Sequence, residues 1–383
     1  MAGDCSPHID IIIILMHAIF DKIEKPTLLL NEAAVRSNIR RMVQKTRAAG
    51  IRFRPHFKTH QSAEIGEWFR EEGVSAITVS SVDMAVYFAN NGWDDITIAF
   101  PANVRQARTL AEMANKIRLG LLMESVETAA TLSHALGNST VDAWLKVDSG
   151  AHRTGLAWDN PQAAIEIARA VQATPNLRLH GLLTHAGQTY GGHGSEDVCR
   201  RYKASVHRID SLRKAMAEIG PLEVSVGDTP ASTLCADLGP VDELRPGNFV
   251  FYDSQQMQVG SCGWEDVAVA LACPVVARHP ERGEAVIYGG AVHLSKDYLM
   301  DGDTRSYGYV CLPGEYGWSA PLVGAYVSAL SQEHGILKMQ PGDLDRLRVG
   351  DLVCILPAHS CLTVTLMKQY RTLDGKTIGT MNA

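Results

Sequence analysis

The sequence predicts an α/β protein in which a (β/α)8 barrel is followed by a mostly antiparallel β domain. Apolar runs of strand length alternate with helical patterns up to about residue 250, and short strand patterns separated by turn signals follow. The chain has 383 residues, 46% of them hydrophobic and 20% charged, which is enough for two cores. We predict a leader over residues 1–24, a barrel over residues 25–253 and a β domain over residues 254–383.

Eight strand candidates, each a short apolar run, support the barrel. They are Ile51–His56, Ala76–Ser80, Ile96–Phe100, Ile117–Met123, Val141–Val147, Leu177–Thr184, Leu222–Val226 and about Val241–Phe251. Amphipathic stretches typical of helices lie between them, at Ala63–Phe69, Val104–Ala114, Ala163–Val171 and Tyr202–Ile219. This is the strand count of a (β/α)8 barrel. A doubly wound open sheet is the alternative, but such a sheet usually carries a glycine-rich first turn, and the sequence contains no GxGxxG motif.

After Phe251 helical periodicity nearly vanishes, and five runs predict strands. They are Val267–Val276, Glu284–Tyr288, Leu322–Leu330, Leu352–Leu356 and Leu362–Tyr370. The dipeptides Gly342-Asp343 and Asp374-Gly375 are typical of turns. We therefore expect a mostly antiparallel β domain that begins near Asp253.

Charge and cysteine content narrow the range of partners and compartments. The net charge is −6 without a basic stripe, so nucleic acid and anionic membranes are poor partners and a small-molecule substrate is favoured. The eight cysteines form no CxxC pair, which predicts a reducing compartment and no disulfides.

The apolar stretch between Ile11 and Phe20 is too short to span a bilayer and has no basic start. We therefore expect a cytoplasmic protein whose leader is poorly ordered or packed as a strand.

Polar residues follow the predicted barrel strands, at the face where barrel enzymes place catalytic groups. Lys58 comes directly after the first strand, and a lysine there can form a Schiff base with an aldehyde cofactor. The fifth and sixth strands are followed by further polar residues, Asp148, Arg153, His185, Gln188 and Tyr190. Lys58 alone would be interpreted as a solvated loop lysine. The convergence of so many polar groups at one rim favours a functional site.

The seventh and eighth predicted strands end in glycine-containing segments, Gly227-Asp228-Thr229-Pro230 and Arg245-Pro246-Gly247-Asn248. Barrel enzymes commonly hold a phosphate at this position. Backbone N–H groups and polar side chains, here from Gly227, Thr229, Gly247 and Asn248, are suitable phosphate donors. A phosphate cradle opposite a strand-end lysine describes a pyridoxal phosphate site.

Five short motifs also resemble one family. They are Lys25-Pro26-Thr27-Leu28-Leu29, Arg54-Pro55-His56-Phe57-Lys58-Thr59-His60, Pro246-Gly247-Asn248-Phe249-Val250-Phe251-Tyr252-Asp253, Gln332-Glu333-His334-Gly335 and Pro357-Ala358-His359-Ser360-Cys361. In order and spacing they are similar to the alanine-racemase-type enzymes with a D-serine dehydratase-like C-terminal domain. That group includes D-serine dehydratases, D-threo-3-hydroxyaspartate dehydratases and D-threonine aldolases. The resemblance covers the chain from Lys25 nearly to its end, and it implies a homodimer.

The resemblance implies roles for individual residues. Lys58 would bind pyridoxal 5'-phosphate covalently and then act as the base that removes the substrate α-proton. Arg153 would lie near the cofactor's phenolic oxygen and Tyr190 near its ring. The phosphate would be surrounded by Thr229, Gly247 and Asn248. Gln188, which follows the same strand as Tyr190, is predicted as a further cofactor contact.

His359 and Cys361 are the predicted metal ligands. Residues at i and i+2 of a strand project to the same face, so this imidazole and thiolate could share one ion. The alternative is a buried structural cysteine. The resemblance implies that this position is the metal site that binds substrate, with cysteine in the dehydratases and usually aspartate in D-threonine aldolases. A thiolate favours Zn²⁺ over Mn²⁺ or Mg²⁺.

Three functions follow from these observations. The first is a metal-assisted dehydratase acting on a D-3-hydroxy amino acid such as D-serine or D-threo-3-hydroxyaspartate, which Cys361 favours. The second is an aldolase that cleaves Cα–Cβ of the same substrates to give glycine and an aldehyde. The third is a non-catalytic pyridoxal phosphate carrier, which is disfavoured because such carriers are typically single barrels. The basic residues Lys296, Arg305 and Arg282 are candidates for binding a substrate β-carboxylate.

Overall fold

The computed structural model describes residues 19–315 and 317–383, which fold as two compact units. The barrel unit consists of Ile39–Phe249 with Val259–Ser261. The β unit consists of the described part of Met1–Asn38 together with Val250–Gln258 and Cys262–Ala383. We predicted a leader over residues 1–24, and its residues 1–18 lie outside the described residues. None of the helices in the described ranges combines the length and hydrophobicity that a membrane crossing requires.

The secondary structure alternates strand and helix in the first part of the chain and is dominated by strands in the second. The strands are β1 (Thr27–Leu30), β2 (Arg52–Phe53), β3 (Ile77–Val79), β4 (Asp95–Pro101), β5 (Arg118–Met123), β6 (Val141–Asp148), β7 (Leu156–Ala157), β8 (Leu177–His185), β9 (Glu223–Gly227), β10 (Glu243–Leu244), β11 (Val269–His279), β12 (Glu284–Tyr288), β13 (Leu299–Asp301), β14 (Thr304–Ser306), β15 (Gly308–Cys311), β16 (Pro313–Gly314), β17 (Gly317–Trp318), β18 (Tyr326–Leu330), β19 (His334–Lys338), β20 (Leu352–Pro357), β21 (Gln369–Thr372) and β22 (Thr377–Gly379). The helices are α1 (Glu32–Ala48), α2 (Ala63–Glu71), α3 (Val82–Asn90), α4 (Ala107–Ala114), α5 (Val126–Leu136), α6 (Pro161–Gln172), α7 (Gly194–Ala215), α8 (Thr229–Leu234), α9 (Ser254–Val259), α10 (Ala291–Leu294), α11 (Pro341–Arg346) and α12 (Ser360–Met367).

The predicted barrel is confirmed, and all eight predicted strands are present in it. The parallel sheet has the order β2-β10-β9-β8-β6-β5-β4-β3. It closes between β2 and β3 through a parallel bridge of His56 with Thr78, and the Phe57 N–H donates to the Thr78 carbonyl at 2.8 Å. The last strand is much shorter than the predicted Val241–Phe251, because Pro246 has no N–H with which to continue the ladder.

Sequence patterns explain why the barrel strands and helices begin where they do. Strand β6 is buried over nearly its whole length, as expected for a parallel strand covered on both faces, and its Trp144 packs with Leu122 and Leu183. Helices α3 and α5 each begin after a serine, Ser81 and Ser125, whose hydroxyl accepts a backbone N–H of the first turn. Such caps stabilise a helix by about 1 kcal/mol.

The β unit is built on a mostly antiparallel sheet, as predicted, with the order β12-β19-β18-β15-β20-β11-β1-β21-β22. Strand β1 lies within the predicted barrel range 25–253 but pairs in this sheet, antiparallel to β11 and parallel to β21. Its residues Leu28, Leu29 and Leu30 are buried. The N-terminal strand therefore contributes to the core of the β unit.

Two local predictions in the β unit are wrong. The predicted strand Leu362–Tyr370 is instead helix α12 followed by β21. The buried helix positions 360, 361, 363 and 364 recur at helical spacing, so packing overrides the β propensity of an alternating apolar and threonine run. Gly342-Asp343, predicted as a turn, lies in helix α11, whose first residue is Pro341. The turn at Asp374-Gly375 is confirmed, with the Gly375 N–H donating to the Thr372 carbonyl.

The expectation of no disulfides is also wrong. Cys199 of α7 and Cys235, directly after α8, form a disulfide with their Cα atoms 5.5 Å apart. The two residues are separated by 36 positions, and no short cysteine motif connects them in the sequence. Only the packing of α7 and α8 within the barrel unit brings these thiols together.

Candidate functional site

Basic side chains gather at the C-terminal ends of the barrel strands. Lys58 lies in the turn after β2, His56 lies two residues before Lys58, and His185 ends β8. Burial lowers the pKa of His185 to about 3, and the positive charges of Lys58 and Arg153 act in the same direction. Burial and the neighbouring Lys58 and Arg245 likewise lower the pKa of His56 well below its usual range. The barrel rim therefore holds neutral imidazoles in a field of fixed positive charge, which suits an anionic ligand.

His185 and Arg245 are held by the ends of neighbouring strands. The Nδ1 of His185 lies 2.5 Å from the Gly227 carbonyl oxygen, and because a carbonyl only accepts, Nδ1 carries the hydrogen. Arg245 is buried and donates to the Ser225 hydroxyl at 2.7 Å and to the Thr184 carbonyl at 2.5 Å. Burial lowers the pKa of Arg245 to about 10, so the guanidinium stays charged at neutral pH.

At the predicted phosphate cradle, Gly247 packs so closely against His56 that there is no room for a side chain. A Cβ added to Gly247 would lie 3.0 Å from both the Cβ and the carbonyl oxygen of His56. The hydroxyl of Thr229, a fully buried residue, accepts the Phe249 N–H at 3.2 Å, and Asn248 is only 6% exposed. The segments that contain Thr229, Gly247 and Asn248 are thus adjacent, as the prediction requires. Their tight packing, together with the positive field, fits a pyridoxal phosphate group.

Tyr190 and Gln188 extend the same rim from the segment after β8. The Thr229 N–H donates to the Tyr190 hydroxyl at 3.2 Å, so the structure places this hydroxyl at the cradle. The position of Tyr190 near the cofactor ring stays a prediction. The Gln188 amide nitrogen lies 3.4 Å from the Ser149 carbonyl, and its oxygen is buried without a hydrogen-bond partner among the described residues. Such an orphaned acceptor is typical of a site that a ligand completes.

The loop that carries Arg153 is anchored by Asp148 at the end of β6. One carboxylate oxygen of Asp148 accepts the N–H groups of Gly150, Ala151 and His152 at 2.9, 3.0 and 3.1 Å. Burial acts to raise the pKa of Asp148, but these three donors lower it below its usual range. Asp148 therefore serves to orient the loop, and the positive charge of Arg153 acts on both His56 and His185.

The predicted metal ligands occur together, but not on a strand. His359 has extended backbone angles at the N-cap of α12, and Cys361 lies in the first turn of that helix. The predicted strand geometry of this pair is therefore wrong, although the two side chains still hydrogen-bond each other. Burial acts to lower the pKa of His359, but the Cys361 thiolate and the Asp297 carboxylate raise it to about 11. Two anionic neighbours around one imidazole make a site that favours a cation.

The surroundings of this pair are polar and partly open. His359, Asp297 and Lys296 line a cavity of about 180 Å³ within the β unit. The buried Asp253 carboxylate accepts the Ser360 N–H at 3.0 Å and so holds the start of α12. Within residues 19–315 and 317–383 no three His, Cys, Asp or Glu side chains could bind one ion together. A metal here would have two protein ligands and free positions for small molecules.

Some site residues were given no individual role by the sequence. His185 and Arg245 were placed at the rim by the strand-end rule, but neither was assigned to the cofactor. Asp297 lies 62 positions from His359, and no local pattern connects the two. Only the fold reveals it.

Comparisons with known proteins agree with this geometry. The family described as alanine racemase, N-terminal domain, matches residues 30–255, and the putative serine dehydratase domain matches residues 268–373. The chain is 30% identical over 366 residues to D-threo-3-hydroxyaspartate dehydratase of Delftia sp. strain HT23, covering 92% of this chain and 94% of that protein. It is 26% identical to D-serine dehydratase of Dictyostelium discoideum, with coverage of 92% and 94%.

The solved structures show the same relationship. A cysteine-to-alanine mutant of D-threo-3-hydroxyaspartate dehydratase, described as a metal-free form, superposes with a TM-score of 0.87 at 27% identity, covering 96% of this chain and 98% of that one. Both family matches follow the order of the two units, and together they span most of the chain. The chain therefore belongs to the alanine-racemase-type, pyridoxal phosphate-dependent lyases with a serine dehydratase-like C-terminal domain.

Proposed function

We propose that the protein is a Zn²⁺-assisted lyase that uses pyridoxal phosphate to eliminate water, and then ammonia, from a D-3-hydroxy amino acid. The observation that carries this proposal is the His359–Cys361 pair at the start of α12, next to a cavity that a small substrate can enter. A thiolate rather than a second carboxylate beside the histidine favours a dehydratase over an aldolase. The family membership supplies the reaction class.

The barrel unit supplies the groups that act on the cofactor side of the reaction. Pyridoxal phosphate, when bound, provides an electron sink for negative charge at the substrate α-carbon. The Lys58 amine would anchor the cofactor and then take the α-proton on its Nζ atom. The neutral His56 and His185 do not compete for that proton, because burial lowers their pKa values. Arg153 and the Thr229, Gly247 and Asn248 cradle would hold the cofactor's phenolic oxygen and phosphate.

The β unit supplies the metal site. His359 and Cys361 would hold one Zn²⁺, since nitrogen and thiolate ligands suit zinc better than the harder Mn²⁺ or Mg²⁺. A zinc ion with open positions would supply Lewis acidity to the leaving β-hydroxyl. The metal site would thus have a task at the β-oxygen, separate from the cofactor's task at the α-carbon.

The structure favours a substrate with a second carboxylate, such as D-threo-3-hydroxyaspartate, over D-serine. Of the three basic residues considered from the sequence, Lys296 lines the cavity beside His359. Arg305 instead stacks over Tyr298 at 4.3 Å from the ring centroid, and Arg282 pairs with Glu284 at 2.9 Å. Lys296 is thus the candidate for binding the β-carboxylate.

One assay tests the reaction class. The purified protein is incubated with D-serine, D-threonine and D-threo-3-hydroxyaspartate, and each product is identified. Pyruvate or oxaloacetate with ammonia marks elimination, and faster turnover of the dicarboxylate supports the role of Lys296. Glycine with an aldehyde would show an aldolase, and no product from any substrate would support a carrier.

Two further properties are proposed from the family and the sequence. A homodimer is expected, and light scattering at micromolar concentration tests it, since a monomeric mass would contradict it. A cytoplasmic location is expected from the sequence, and fractionation of the expressing cells tests it. Recovery of the protein outside the cytoplasmic fraction would contradict that location.

A further inference from the structure

The loop after α10 adopts a strained conformation that fixes the residues following it. Ser295 has φ 70° and ψ −176°, a region that is nearly restricted to glycine, and the residue is only 9% exposed. Its hydroxyl accepts the Asp297 N–H at 3.2 Å. The Leu294 carbonyl in turn accepts the Thr363 hydroxyl of α12 at 3.3 Å. The loop is thereby tied to the helix that begins next to His359.

This loop delivers the Asp297 carboxylate to His359. The Oδ2 atom of Asp297 lies 2.8 Å from His359 Nδ1. Because a carboxylate only accepts, Nδ1 carries a hydrogen, so Nε2 is the nitrogen that a metal ion would bind after displacing its proton. A carboxylate on the far nitrogen also makes an imidazole a stronger ligand and fixes the plane of its ring.

We propose that Asp297 is the positioning residue of the metal site, which sets the tautomer and orientation of His359. The inference rests on the proposed function, because it assumes that His359 and Cys361 bind zinc. A strained backbone conformation of this kind persists only where surrounding contacts hold it in place, and such conformations are concentrated at functional sites. The strained Ser295 holds a carboxylate against the predicted metal ligand.

The other ligand has its own support. Asp253 accepts the Ser360 N–H at 3.0 Å and thereby fixes the first turn of α12, where Cys361 lies. The two predicted ligands are thus positioned by two different aspartates. Asp253 is fully buried in the core, whereas Asp297 lines the cavity, so only Asp297 can be changed without disturbing the helix.

The test is zinc affinity of the pyridoxal phosphate-loaded protein, measured by competition with a chromophoric chelator. Asp297→Ala is expected to weaken zinc binding by about 10- to 100-fold. Asp297→Asn should weaken it less, because its amide oxygen still accepts the imidazole N–H. Asp303→Ala, an exposed aspartate in the turn between β13 and β14, is the matched control and should leave the affinity unchanged.

Cobalt substitution separates a positioning role from a structural one. At saturating Co²⁺, Asp297→Ala should keep the charge-transfer absorption of a thiolate ligand and change the ligand-field bands. Equal zinc affinity of the parent and Asp297→Ala would overturn the inference while leaving the metal site intact. Equal losses in Asp297→Ala and Asp297→Asn, with a lowered unfolding midpoint of the metal-free protein, would assign Asp297 to folding instead. A parent that binds no zinc would overturn this inference and the proposed metal together.

Discussion

The barrel rim and the metal pair of the β unit hold their functional groups by different means. At the rim, the ends of several parallel strands converge, and the groups are supported by backbone, as where the Gly227 carbonyl holds His185. In the β unit, the two predicted ligands lie at one helix start and depend on Asp253 and Asp297 from distant parts of the chain. The barrel topology therefore brings the rim groups together, while the metal site depends on contacts of particular side chains. Substitutions should affect them differently.

The largest effect is expected at the rim's reactive group. Lys58→Ala should lower turnover by at least about 10⁴-fold, since proton transfer alone contributes up to that much and the covalent anchor is lost as well. Borohydride reduction followed by peptide mapping should place the label on Lys58 in the parent. Lys203→Ala, an exposed lysine on α7, should keep both label and turnover. A label on another lysine would remove Lys58 from the site.

A substitution in the metal pair should lower activity without affecting cofactor binding at the rim. Cys361→Ala should lower elimination by about 10³-fold, which matches the several kcal/mol that a Lewis acid contributes, and should leave the cofactor absorbance unchanged. Chelation of the parent should have the same effect. Cys262→Ala, at another cysteine outside the disulfide, is the control. Full activity after chelation would make His359 and Cys361 structural residues.

The cradle should be sensitive to a single methyl group. Gly247→Ala places a Cβ 3.0 Å from His56 Cβ and carbonyl oxygen, and overpacking of this kind costs about 1–3 kcal/mol. Affinity for pyridoxal phosphate, followed by absorbance titration of the apoprotein, should fall about 10- to 100-fold. In Gly342→Ala the new Cβ has no heavy atom within 4 Å, so affinity should be unchanged. Equal affinities in the two variants would show that the cradle is looser than the contacts imply.

The last effect is on stability rather than on activity or cofactor binding, and it concerns a buried carboxyl beside the cradle. Burial raises the pKa of Asp228 from 3.8 to about 6. Folding therefore favours the protonated carboxyl of Asp228. The free energy of unfolding that this proton contributes is fully present below pH 3.8 and is lost as the pH rises through about 6. The apoprotein of Asp228→Asn cannot ionise there, so its free energy of unfolding relative to the parent should increase from pH 4 to pH 7 by up to about 3 kcal/mol. Denaturant unfolding at several pH values measures this.

Asp303→Asn, at an exposed position, is the matched control substitution. The Asn side chain can still accept the Ala231 N–H that Asp228 accepts at 2.8 Å, so the cap of α8 is kept. A difference between parent and Asp228→Asn that stays constant with pH would contradict the raised pKa.

Sequence reasoning succeeded at the rim for a physical reason. The runs that lead to Lys58, Asp148 and His185 encode parallel strands, and the topology of a barrel brings all such ends to one face. A residue directly after a buried strand can therefore be assigned to the site without coordinates. His185 and Arg245 were also placed at the rim in this way, although neither was given a role there.

The same reasoning was less successful in the β unit. His359 and Cys361 were selected correctly as neighbours, but the run from Leu362 was assigned to a strand because threonine and valine favour β structure. Its helix is stabilised by packing and by Asp253, 107 positions away from the Ser360 that it binds. The periodicity of a local sequence segment cannot predict such a distant partner.

The sequence by itself determined the barrel, the antiparallel second unit and the rim position of Lys58, because the alternation of buried and exposed residues encodes which face of each element is covered. The tertiary structure alone decided that α12 is a helix, that Cys199 reaches Cys235 and that Asp297 reaches His359. Each of these depends on a contact between residues far apart in the chain. Such contacts form only when the packed elements bring the two partners within reach, so no pattern local to either partner predicts them.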